Sequence, residues 1–109
     1  MGSAIAAAAL DAGFQVTVIS GPVSVSYPNN CTVIGVDSTQ EMLDAAAKVF
    51  PECDVLIGAA APCDYMPLVI APDKIKKTGE SLNLTLSETP DIIATLAASK
   101  TSDQVVIGF

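Results

Sequence analysis

Apolar residues along this chain switch between two spacings, and the switches mark the elements. Ser3–Ala12, rich in alanine, predicts a helix packed close against a sheet and closed by Gly13 at its C′ position. Gln15-Val-Thr-Val-Ile-Ser20 predicts a strand stopped by Gly21-Pro22, and Cys31-Thr-Val-Ile-Gly-Val36 predicts a second, shorter one. Ser38-Thr-Gln-Glu41 has capping-box spacing, and Met42, Leu43, Ala46, Val49 and Phe50 follow at helical intervals up to Pro51. Val55–Ala60 is an unbroken apolar run, which predicts a strand covered on both faces. Ser81–Ser87 alternates Leu82, Leu84 and Leu86 with polar residues and predicts a half-exposed strand. Thr89 stands as an N-cap with Pro90 at the first helical position, and Ile92, Ile93, Leu96 and Ala97 form the next apolar face. Gln104–Phe109 predicts a last, buried strand.

Strands and helices that alternate over short connections predict an α/β fold: a doubly wound, mostly parallel, Rossmann-like sheet. Residues 1–109 are expected to form one unit with no internal repeat or linker, a fragment or the ordered part of a larger domain. The pattern opens on a helix and stops on a buried strand, so the sheet is expected to be incomplete at both ends. The strand and phosphate-binding turn that precede the first helix in such folds are not in this sequence.

Composition narrows the function. Half of the 109 residues are apolar and 16% are charged, which excludes a disordered chain. No apolar run reaches the ~18–20 residues of a transmembrane helix, and the N-terminus lacks the positive flank of a signal peptide. A soluble cytoplasmic protein, with no membrane partner, is the expectation. The net charge of −7, from five lysines and no arginine, argues against nucleic acid as a partner. Cys31, Cys53 and Cys63 are odd in number and have no C-x-x-C spacing, which fits a reducing compartment and supplies no zinc site. Histidine is absent, so neither Ser-His nor Cys-His machinery nor an HExxH site exists in this chain.

The most informative stretch follows the third strand. Gly58-Ala-Ala-Ala-Pro-Cys-Asp-Tyr65 runs through small residues to one carboxylate, and Ala71-Pro-Asp-Lys-Ile-Lys-Lys77 adds three of the five lysines. Small residues at the carboxyl end of a parallel strand let a ligand approach the backbone. A carboxylate and a lysine cluster beyond it suit a metal-bound polyphosphate. Each feature also has a plainer reading. Gly58–Ala61 are small enough for helix packing alone, Asp64 suits a turn after Pro62, and Asp91 suits the dipole of a helix first turn. Lys74–Lys77 read equally as a solvated turn, and Phe109 as a core aromatic.

Taken together, Met1-Gly-Ser-Ala-Ile-Ala6, Val16-Thr-Val-Ile-Ser-Gly-Pro-Val23, Asp64-Tyr65, Lys74-Ile-Lys-Lys77, Pro90-Asp-Ile92 and Val106-Ile-Gly-Phe109 resemble, in that order, the phosphopantothenoylcysteine synthetase family. The likeness spans all 109 residues, with Cys63 in place of the more usual alanine. It implies a ligase that activates 4′-phosphopantothenate with CTP (ATP being the alternative) and Mg²⁺, then joins it to cysteine. By resemblance, Lys74 is the functional lysine and Asp64 binds the cation or a ribose hydroxyl. Gly58, Ala59 and Ala60 form the wall for the nucleotide, Pro90, Asp91, Ile92 and Ile93 present a helix start to it, and Phe109 borders the pocket. A flexible lid from Lys74 past Gly79, a homodimer, and fusion to an FMN-dependent decarboxylase half are also implied, the FMN site lying outside this chain. The family's glycine-rich segment and further phosphate-binding lysines have no counterpart among these residues, so the fragment alone is expected to be inactive.

Two rivals remain at this level. An NAD(P)-dependent oxidoreductase uses the same kind of sheet, but Tyr27 and Tyr65 are followed four residues later by Cys31 and Val69, not by the lysine of Tyr-x-x-x-Lys. A noncatalytic fragment that pairs through the Leu82–Leu86 strand would need no nucleotide site at all.

Overall fold

The computed structural model describes residues 1–109. Three helices, α1 (Gly2–Asp11), α2 (Thr39–Val49) and α3 (Ile92–Ser99), alternate with six strands. The strands are β1 (Thr17–Ser20), β2 (Thr32–Gly35), β3 (Val55–Gly58), β4 (Tyr65–Pro67), β5 (Leu86–Glu88) and β6 (Val105–Gly108). They pair two by two: β1–β2 and β3–β6 are parallel, and β4–β5 is antiparallel. The architecture is mixed α/β and Rossmann-like, its parallel strands grouped as two pairs that share no hydrogen bond.

Local chemistry fixes the helix ends. Gly13, at φ 88°, closes α1, with its N–H donating to Leu10 O and that of Phe14 to Ala9 O. At α2 the Ser38 hydroxyl accepts from the Glu41 N–H at 3.2 Å, while the Glu41 carboxylate accepts from the Asp37 N–H at 2.8 Å, one residue outside the usual capping box.

The core is small: Ala46 and Phe50 from the end of α2 meet Leu96 of α3, with Ile19, Leu43, Leu56, Ile92 and Val106 packed around them. Because side chains alternate along a strand, Leu56 and Val106 face this cluster and their neighbours face away. Val55, Ile57, Val105 and Ile107 are therefore exposed, which corrects the expectation that the β3 run is covered on both faces and that β6 is buried. Both helices that pack on this pair, α2 and α3, lie on the same face. Gln104 is the buried polar member. Its amide donates to Phe50 O and Cys53 O, both at 2.8 Å, and its oxygen accepts from the Thr101 N–H.

Residues 65–88 project from this body as an arm. The chain measures 58 × 31 × 21 Å with a radius of gyration of 17.1 Å, against about 13 Å for a compact domain of this length. The expected strand Ser81–Ser87 is reduced to Leu86–Glu88, paired with a β4 that the apolar pattern did not announce. Leu82, Leu84 and Leu86 are all exposed, because a two-stranded ribbon has no second layer to cover either face.

Candidate functional site

The carboxyl ends of β3 and β6 lie side by side, and the first turn of α3 sits over them. Gly58 and Gly108 are register partners, and the Phe109 N–H donates to Gly58 O at 3.1 Å. Ile93 fills the space that the two glycines leave. A Cβ added at Gly58 would lie 2.9 Å from Ile93 Cγ1 and closer still to Cδ1, whereas one at Gly108 would meet Cγ2 at an ordinary 3.5 Å. The backbone at Gly58 has no positive φ, so what favours glycine there is the contact with Ile93 and not conformation. Ala59 is half-buried and Ala60 is exposed just beyond.

The start of α3 differs from the expectation. Thr89 is not its N-cap and Pro90 is not its first residue: Asp91 caps, accepting from the Ala94 N–H at 2.8 Å. Two preferences produce this. Aspartate caps somewhat better than threonine, and the residue before a proline is pushed into extended backbone. Thr89 accordingly continues the β5 ladder, its N–H donating to Asp64 O at 2.8 Å and its hydroxyl to Cys63 O at 2.6 Å. Those bonds hold the turn carrying Asp64 against the approach to α3.

The structure thus brings Gly58, Ala59, Ala60, Asp64, Pro90, Asp91, Ile92, Ile93 and Phe109 to one end of the β3–β6 pair. It does not bring Lys74 there through any regular element: Lys74, Lys76 and Lys77 are exposed in the irregular span between β4 and β5. Asp64 is exposed too, and no group of three or more acidic, cysteine or histidine residues exists that could hold a metal. A lone carboxylate still fits magnesium, which is commonly held by one or two carboxylates together with substrate phosphates. The Asp91 carboxylate places negative charge at the α3 terminus, so the N–H groups of Ile92 and Ile93 suit a neutral acceptor better than a phosphate. Sequence reasoning missed Thr89 as a clamp and Gly108 as the partner of Gly58. The second had a signal: Val55-Leu-Ile-Gly58 and Val105-Val-Ile-Gly108 end alike.

A shallow depression of about 210 Å³ lies at the other end of the pair, lined by Ala47, Phe50, Leu96 and Gln104 among others. Its main polar side chain, Gln104, is fully engaged in the bonds described above. The carboxyl ends of the strands, where ligands bind in open α/β sheets, are the better site.

Two parallel strand pairs, helices packed on them and small residues at the strand ends define a Rossmann-like α/β domain. Comparison with known proteins makes this specific. The chain belongs to the family of DNA/pantothenate metabolism flavoprotein C-terminal domains, whose family model matches residues 1–109. It is 42% identical over 111 residues to the coenzyme A biosynthesis bifunctional protein CoaBC of Vibrio vulnificus, covering 100% of this chain and 28% of that protein. To CoaBC of Escherichia coli K12 the identity is 40% over 112 residues, again with 100% and 28% covered. The chain therefore spans a little over a quarter of the length of these curated relatives. The solved C-terminal domain of CoaBC superposes with a TM-score of 0.83 at 34% identity, covering 99% of this chain and 49% of that one. The DNA/pantothenate metabolism flavoprotein of Streptococcus pneumoniae shares the fold, with a TM-score of 0.83 at 23% identity, over 99% of this chain and 56% of that one. No helix is long and apolar enough to cross a membrane.

Proposed function

We propose that this chain is part of a nucleotide-dependent ligase of coenzyme A biosynthesis, joining 4′-phosphopantothenate to cysteine at the expense of CTP. The observation that carries the reading is the likeness to CoaBC proteins across every residue of the chain, at about 40% identity. The strand-end site supports it. In this reading a carboxylate oxygen of 4′-phosphopantothenate attacks the α-phosphorus of CTP, the bond to pyrophosphate breaks, and an acyl-cytidylate forms. The cysteine amine then attacks the acyl carbon, and CMP leaves as the amide closes.

Each group has a task set by its position. Gly58, Ala59 and Ala60 leave the backbone of the strand end open to the nucleoside. The start of α3, reached through Pro90 and the cap Asp91, offers the N–H groups of Ile92 and Ile93 to a neutral edge of the base or ribose, and Phe109 borders it. Lys74 reaches the phosphates when the arm folds over the strand ends as a lid, and neutralises charge as two anions approach. Asp64 holds magnesium, which supplies charge neutralisation at the phosphates when bound. The exposed Leu82, Leu84 and Leu86 support a homodimer formed through the arm, and also a second reading in which the chain serves only to pair subunits. The CoaBC relatives are bifunctional, in line with fusion to a decarboxylase half in the whole protein.

Calorimetric titration with Mg²⁺–CTP tests the proposal, with ATP and NADH as comparators. CTP binding that weakens in Lys74→Gln is expected. NADH binding in its place would revive the oxidoreductase, and pairing of subunits without nucleotide affinity would favour the noncatalytic reading.

A further inference from the structure

Thr89 makes two hydrogen bonds that neither helix capping nor core packing requires. Its N–H donates to Asp64 O at 2.8 Å and its hydroxyl to Cys63 O at 2.6 Å, the latter across 26 residues of sequence. The first bond extends the antiparallel ladder one step beyond the Tyr65–Glu88 pair. The second lies outside any ladder and depends on the side chain alone. Pro90 contributes by holding its predecessor extended, which aims the hydroxyl across at the 63–64 turn and away from the helix. Asp91 then takes over the capping of α3, and its carboxylate accepts from Ala94. The effect is to join three pieces of the candidate site. The turn bearing Asp64 is tied to Thr89, Thr89 leads directly into the first turn of α3, and that turn is seated on Gly58 and Gly108 through Ile93.

We propose that Thr89 is a positioning residue that fixes the Asp64 carboxylate relative to the start of α3 and the ends of β3 and β6. The inference rests on the ligase reading, because it takes Asp64 and the α3 start as parts of one nucleotide site. Thr89 touches neither substrate nor metal; it acts through the backbone of residues 63 and 64. The segment it anchors is exposed and carries no buried side chain, so without the clamp only the single ladder bond at Asp64 O restrains the turn from that side.

Thr89→Val keeps the branched shape and the N–H and deletes the hydroxyl; Thr89→Ser keeps the hydroxyl. The protein and both variants are titrated with Mg²⁺–CTP, and exchange of the residue-89 amide hydrogen is followed by NMR. Thr89→Val is expected to exchange about five-fold faster and to bind about five-fold more weakly, the range of one net hydrogen bond, with Thr89→Ser close to the parent in both. Adding Thr89→Val to Asp64→Asn should cost no further affinity, since the threonine acts through that carboxylate. Faster exchange with unchanged affinity in Thr89→Val would overturn the inference and leave the ligase reading standing, as would a fully additive double variant. Absence of CTP binding by the parent protein would overturn the inference too, because this chain would then hold no nucleotide site for Thr89 to position, while the ligase reading of the longer relatives would stand.

Discussion

A methyl group added at Gly58 separates packing from ligand access as the reason for that glycine. The Cβ of Gly58→Ala would fall 2.9 Å from Ile93 Cγ1 and nearer to Cδ1, so α3 or the isoleucine rotamer must shift. Overpacking of this kind costs about 1–3 kcal/mol. Replacing glycine within a strand returns about 0.5–1 kcal/mol of chain entropy, since the backbone here is not left-handed. The net expectation is a loss of about 1–2 kcal/mol. Gly108→Ala is the internal control. Its Cβ would meet Ile93 at 3.5 Å, an ordinary contact, so the entropy gain stands unopposed and the variant should be more stable than the parent by about 0.5–1 kcal/mol. Urea unfolding followed by far-UV circular dichroism reads both. Ile93→Ala completes the cycle: with the isoleucine truncated, Gly58→Ala should cost at least about 1 kcal/mol less than it does alone. If Gly58→Ala proves neutral or stabilising, indistinguishable from Gly108→Ala, the packing argument is wrong.

Other expectations follow from single contacts. Gln104→Ala leaves the carbonyls of Phe50 and Cys53 without their donor and should destabilise the protein by about 1–3 kcal/mol in the same unfolding assay. Asp91→Ala removes the α3 cap and should cost about 1 kcal/mol, with Asp91→Asn retaining most of it. Burial, followed by the charges of Asp54 and Glu52, raises the pKa of the Cys53 thiol above its ordinary value. A thiol whose folded pKa is raised stabilises the fold fully below its unfolded pKa, and that contribution is lost as pH climbs through the folded value, so it should decline only on the alkaline side. Iodoacetamide at mildly alkaline pH should label exposed Cys63 well before Cys53, as read by peptide mass spectrometry.

Much of the scaffold is legible in the sequence because local signals and tertiary structure agree there. Gly13 closes α1, Ser38 and Glu41 open α2, and the β-branched, apolar segments Val16–Ile19, Val55–Ile57 and Val105–Ile107 supply β1, β3 and β6. The failures come where a side chain had two competing uses. Thr89 reads as a cap beside a proline, but its hydroxyl is taken by Cys63 O, and only tertiary structure shows that. The apolar run of β3 announces burial, yet exposure depends on which layers are present, and both helices on this pair share one face. β4 was missed because Tyr65-Met-Pro67 has neither alternation nor length. At the strand ends the sequence marked residues that the fold gathers at one place, but it could not assign their work. Gly58 makes room for Ile93, whereas an added Cβ at Gly108 would meet it at an ordinary distance and Gly35, at the end of the similar Thr32-Val-Ile-Gly35, has nothing within 4 Å of one. The same ending serves packing in one pair of strands and meets no such demand in another.

The most direct test of the account is where a nucleotide binds. Mg²⁺–CTP titrated into ¹⁵N-labelled protein should shift the amides of Gly58, Ala59, Ala60, Asp64, Ile92, Ile93 and Phe109 together, with Lys74 joining as the arm closes. Shifts confined to the depression around Ala47, Phe50 and Leu96, or no shift at saturating CTP, would contradict a nucleotide site at the carboxyl ends of β3 and β6.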